Sequence, residues 1–171
     1  ALGQARQGTA IEAMRAAGID PARVVMVAHT HFHGDHIGGL IDADGQAIFP
    51  NARILVPERE WAFWNDAGEE ARGPEARRPA FANVRRRFAP YQGRVTPFAP
   101  GAQIAPGITA VTTNGHSPGH TSFLIADGGA QMMVIGDAIT APAVYGANPD
   151  CFPGFQKDPP AEVATGGAGR C

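Results

Sequence analysis

The order of apolar and polar positions divides the chain into short elements separated by many turns. Ile11, Met14 and Ala17 recur at helical spacing and predict a helix over 4–17, which Gly18 stops. Asp20-Pro21 forms a turn. Val24 to Ala28, a continuous apolar run rich in β-branched residues, predicts a buried strand. A loop holding Asp42-Ala43-Asp44-Gly45 leads to a second strand over Arg53 to Val56. Past Pro57, EREWAFWND predicts a short helix with Trp61 and Trp64 on one face. The polar, Gly- and Pro-rich stretch 68–79 reads as an exposed connection, and 79–88 as a helix stopped by Pro90. Short strands follow around Val95 and Ile104 and over 108–112, 121–126 and 131–135, with Asp127-Gly128-Gly129 as a hairpin turn. The pattern predicts an α+β chain whose polar motifs stand where strands end.

Composition narrows the class. A length of 171 residues suits one domain with a substantial core, and 22 glycines with 15 prolines favour loops over a helical bundle. The net charge of -2 offers no broad positive surface, so no nucleic-acid partner is expected. Arg85, Arg86 and Arg87, with Arg77 and Arg78 nearby, read first as a solvated helix face and second as a patch that steers an anionic substrate. No apolar run is long enough to cross a bilayer, and the opening ALGQARQGTA lacks a signal-peptide core; neither sets a compartment. Cys151 and Cys171 are too few for a disulfide framework.

The chemistry concentrates directly after the first strand. His31, His33, Asp35 and His36 fall within HTHFHGDHIGG. In an extended segment His31 and His33 point to the same side and can share one metal ion. Gly34 allows a sharp turn that brings Asp35 and His36 to a second position beside the first. Gly38 and Gly39 allow close packing of the next element. Imidazole with carboxylate suits Zn²⁺ and other borderline ions. His29 exceeds what the pattern needs and is expected to pack or to support a ligand.

Two further groups lie downstream. In NGHSPGHTSF one of His116 and His120 is a reasonable third imidazole for the first metal, leaving a position open for water. Asp137, after a strand and a glycine, can reach into the site and bridge two ions held roughly 3.5–4 Å apart.

HxHxDH at 31–36, the later GHSPGH and a strand ending in Gly-Asp resemble the metallo-beta-lactamase superfamily, over about Val24 to Asp137. LIDADGQAIFPNARILVPEREWAFW and APYQGRV are similar to its methyl parathion hydrolase-like branch. The resemblance implies an αβ/βα sandwich with metals at the sheet edges. It implies two divalent ions, Zn²⁺ foremost: His31, His33 and His116 on the first, Asp35 and His36 on the second, and Asp137 between them. His120 then supports its loop.

Family members begin with several more strands and carry a late histidine ligand, whereas His120 is the last histidine here. The chain is therefore expected to be a single partial domain over 1–171, with core motifs at 24–137, a divergent or truncated tail at 141–171, and a second metal short of one ligand. The implied function is a metal-dependent hydrolase, in which a metal-bound hydroxide, oriented by Asp35, attacks an ester, lactone or organophosphate-type small molecule. The alternative is a non-catalytic metal-binding fragment. Trp61, Phe63 and Trp64 are expected either to line an apolar approach or to pack in the core, and uncovered sheet edges favour self-association.

Overall fold

The computed structural model describes residues 10–139. The predicted tail at 141–171, like positions 4–9 of the first helix, lies outside them. Two sheets organise the rest. Strands β1 (Met26–Ala28), β2 (Arg53–Pro57) and β3 (Val95–Phe98) form a parallel sheet in that order. Strands β4 (Gln103–Ala105), β5 (Ile108–Thr112), β6 (Thr121–Asp127) and β7 (Ala130–Val134) form an antiparallel one. The helices are α1 (Ala10–Ala16), α2 (Gly34–Ile37), α3 (Glu58–Asn65), α4 (Ala67–Arg72) and α5 (Arg78–Phe88).

Strand alternation explains the layering. On β2, Ile54 and Val56 turn toward a core of Trp64, Phe81, Val84 and Phe88 from α3 and α5. Leu55, between them, points the other way and joins Phe98, Ala110 and Phe123 between the sheets. Helices, first sheet and second sheet make three layers of the expected αβ/βα sandwich from described residues. Tyr91 pins the helical side: its hydroxyl donates to Leu40 O at 2.6 Å and accepts from Phe49 N at 3.1 Å.

Several expectations change. The apolar run at 24–28 is only half-buried, with Val25 72% exposed, because β1 stands at the sheet's edge and pairs with β2 alone among the described strands. The connection at 68–79 instead holds α4, a 3-10 turn at 75–77 and the start of α5. Asp66 caps α4 by accepting from Gly68 N and Glu69 N. Trp61, Phe63 and Trp64 pack in or against the helical core. The arginine run is not merely solvated: Arg85 grips Glu70 through two hydrogen bonds, and Arg87 donates to Gly38 O at 2.6 Å. The 127–129 hairpin forms as expected, with Gly128 left-handed at φ 56°.

Candidate metal centre

The site gathers at the ends of strands from both sheets. After β1 the chain leaves the sheet, and Thr30 O accepts from Thr121 N at 2.9 Å, fastening this loop to the start of β6. His31 is fully buried, and its Nδ1 lies 3.1 Å from Thr30 Oγ1. Its Nε2 faces His33 Nδ1 at 3.1 Å, and that same His33 nitrogen lies 2.8 Å from His116 Nε2. His116 arrives on a separate loop, whose ends close where Thr113 N donates to His120 O at 3.1 Å.

A second group adjoins the first. His31, His36 and Asp137 also bring their donor atoms together. Asp137 Oδ2 lies 3.3 Å from His36 Nε2, 3.3 Å from His116 Nε2 and 3.9 Å from His31 Nε2. This one oxygen therefore reaches both groups. Asp35 stands at the margin: its side chain is 60% exposed and 3.5 Å from His36 Nε2, outside both clusters. Gly34 is not the source of the turn, since it opens α2 without a positive φ; helix initiation after His33 redirects the chain. Nor do Gly38 and Gly39 serve close packing, because a Cβ at either would meet nothing within 4 Å.

The electrostatics divide the donors into two kinds. Burial, reinforced by the surrounding histidines, drives the His31 pKa far below its ordinary value, so this imidazole is neutral and its lone pair is available. His36 goes the other way: its hydrogen bond to Asp137 raises its pKa against partial burial, with the Asp137 and Asp35 charges adding to the effect. The same hydrogen bond holds the Asp137 carboxyl below its usual range. His29 is buried against Phe32 and Phe88, outside the cluster, and burial takes its pKa down to about 4.

His120 does more than support its loop. Its Nε2 accepts from Asp137 N at 3.0 Å, which puts the proton on Nδ1. Nδ1 then donates to Thr113 Oγ1 at 2.8 Å, Thr113 to Ser122 Oγ at 2.9 Å, and Ser122 to Ile135 O at 3.2 Å. A carbonyl at the far end fixes the direction of the whole chain. It ties both sides of the turn carrying Asp137, and the lowering of the His120 pKa to about 4 by burial keeps the ring neutral. Gly136 is needed there: at φ 54° its Cβ would stand 2.8 Å from His120 Nε2.

The residue pattern alone did not single out Glu60, which is fully buried and bonded to both histidine loops. One signal was present. Glu60 precedes Trp64 by four residues and so shares the buried face of α3.

The donor set fits a metal. Ligand nitrogens around a tetrahedral zinc stand about 3.3 Å apart, given Zn–N of about 2.0–2.1 Å. The observed separations of 3.1 and 2.8 Å within the first group approach that spacing. A neutral imidazole and an ionised carboxylate are the protonation states that coordination needs.

The metallo-beta-lactamase superfamily model matches residues 2–165, and the chain belongs to that superfamily. It is 33% identical over 119 residues to the N-acyl homoserine lactonase AttM of Azorhizobium caulinodans, covering 66% of this chain and 40% of that protein. It is 31% identical over 109 residues to the uncharacterized protein YobT of Bacillus subtilis, covering 64% and 43%. The crystal structure of the hydrolase AbOPH of the beta lactamase superfamily superposes with a TM-score of 0.86 at 30% identity, covering 92% of this chain and 56% of that one. The chain thus spans less than half the length of these two curated relatives.

Proposed function

We propose that the site holds two divalent ions, zinc foremost, and hydrolyses an ester or lactone bond of a small molecule. The observation that carries this reading is the position of Asp137 Oδ2, 3.3 Å from a nitrogen of each donor group. His31, His33 and His116 would hold one ion, His36 with Asp35 the other, and Asp137 would bridge. Such a pair of ions supplies an activated water and stabilises charge developing on the acceptor oxygen. The chain's own part is positional. The His120–Thr113–Ser122 hydrogen bonds hold Asp137 from both sides of its turn, and burial keeps His31 neutral. Asp35, exposed beside His36, would orient the water and hand its proton to solvent. Similarity to AttM favours lactones, and organophosphate-type esters share the same demand for a nucleophilic water.

The second reading, a metal-holding fragment without turnover, has one observation in its favour. Met132, Met133, Val134 and Ile135 on and after β7 are exposed, Met132 by 57%, an apolar sheet edge among the described residues. The discriminating experiment is hydrolysis across an ester, a lactone and a phosphotriester. Turnover that rises with added zinc and vanishes in His31→Ala supports the enzyme, while zinc uptake without turnover supports the fragment.

A further inference from the structure

The two loops that bring His31, His33 and His116 together come from distant parts of the sequence, and one side chain bonds to both. Glu60 Oε1 accepts from Phe32 N at 3.1 Å and from Trp64 Nε1 at 2.7 Å. Its Oε2 accepts from Ser117 Oγ at 2.9 Å and from Gly119 N at 2.7 Å. Phe32 lies between His31 and His33, and Ser117 directly follows His116. We propose that Glu60 is a positioning residue for metal uptake, setting the distance between the two loops so that the three imidazoles meet.

The local sequence explains why this carboxylate is available. Glu60 is the third residue of α3, where a glutamate ordinarily reaches back to the N–H of the cap residue. Here the cap is Pro57, which has no N–H. The side chain turns instead toward the loops, and its negative charge is favoured at a helix N-terminus. Gly119 completes the fit, since a Cβ there would stand 2.1 Å from Glu60 N; the His116 loop rests directly on the first turn of α3.

Hydrogen-bond chemistry makes the role specific to a carboxylate. Three of the four donors are N–H groups that cannot accept. Glutamine must point its NH₂ either at Gly119 N–H or at the N–H groups of Phe32 and Trp64. Either orientation sets donor against donor at one histidine loop and weakens its tie to the helix. Aspartate is shorter by a methylene and cannot span both loops.

The test rests on the metal reading proposed above but separates from it. Glu60→Gln is compared with wild type and with Ile108→Ala, a substitution between the sheets, at the end of β5 away from the His116 loop, that lowers thermal stability by another route. Zinc affinity is read by chelator competition, and cobalt-loaded protein by its ligand-field absorption. The imidazole resonances of His31, His33 and His116 are read in metal-free protein. Glu60→Gln is expected to weaken zinc binding about 10–100-fold, as loss of supporting hydrogen bonds around ligands does. It should also alter the cobalt bands and shift the His33 and His116 resonances, with Ile108→Ala changing none of these. If Glu60→Gln does not fold, Ser117→Ala removes one bond without a donor clash and should weaken zinc binding several-fold, about half an order of magnitude. Unchanged affinity, cobalt spectrum and imidazole resonances in the folded variant overturn the proposal. Should wild type take up no zinc, the metal reading fails, and the metal-free resonances still decide whether Glu60 positions the loops.

Discussion

The two donor groups share His31 but stand in different surroundings. His31 and His116 are buried, and their loops are bonded to Glu60 and to the start of β6. His36 sits on the four-residue α2, with about a quarter of its side chain exposed, and its nearest carboxylates are Asp137 and the solvent-facing Asp35. The first group is assembled before any ion arrives. The second holds an internal His36–Asp137 ion pair, which an incoming cation must displace. On the two-ion reading proposed above, preorganisation would favour the first ion and competition with a proton would weaken the second.

The most disruptive change is His31→Ala, which removes a proposed ligand of the first ion and the buried neighbour of the second group's donors; zinc content by elemental analysis should fall to one ion per chain or fewer. Next, His36→Ala should keep the tight ion and lose the weak one, while His116→Ala should lose the tight one. Calorimetric titration resolves the two phases, and equal losses in both variants would erase the distinction between the groups.

pH separates the groups further. In metal-free protein the raised pKa of His36 contributes stability that is fully present below its ordinary 6.5 and lost as pH rises through the folded value. Asp137 contributes above its ordinary 3.8 and loses this as pH falls through its lowered value. The pair therefore stabilises the metal-free chain most between those two ordinary values, and uptake of the second ion must release the His36 proton there. Second-ion affinity should therefore fall as pH drops through the raised His36 value. Titrations in buffers of different ionisation enthalpy measure the released proton. The smallest effect is expected from Asp35→Asn: a loss of about tenfold or less in second-ion affinity, given its exposure. A loss as large as that of His36→Ala would mean that Asp35 holds the second ion as firmly as His36 does, despite its exposure.

Much of the site was legible in the residues because metal ligands need scarce side chains at close spacing. HxHxDH, the paired histidines and Gly-Asp pointed to five residues that the fold brings together, His31, His33, His36, His116 and Asp137. Three things were not legible. Periodicity does not say whether a strand is covered, so the run at 24–28 reads as buried although its neighbours leave Val25 exposed. The helix α4 was hidden by glycine and charge, although Asp66 and Glu69 carry the spacing of a capping box. Glu60 looked like one more acidic residue at a helix start; its role depends on loops about 28 and 57 residues away in sequence, which only the packed fold brings to it.

The most direct test of the two-ion account is the zinc content of the purified, monodisperse chain after loading and removal of free metal. The account predicts about two zinc ions per chain by elemental mass spectrometry. A folded chain that retains one contradicts the second position, and one that retains none contradicts the metal centre altogether.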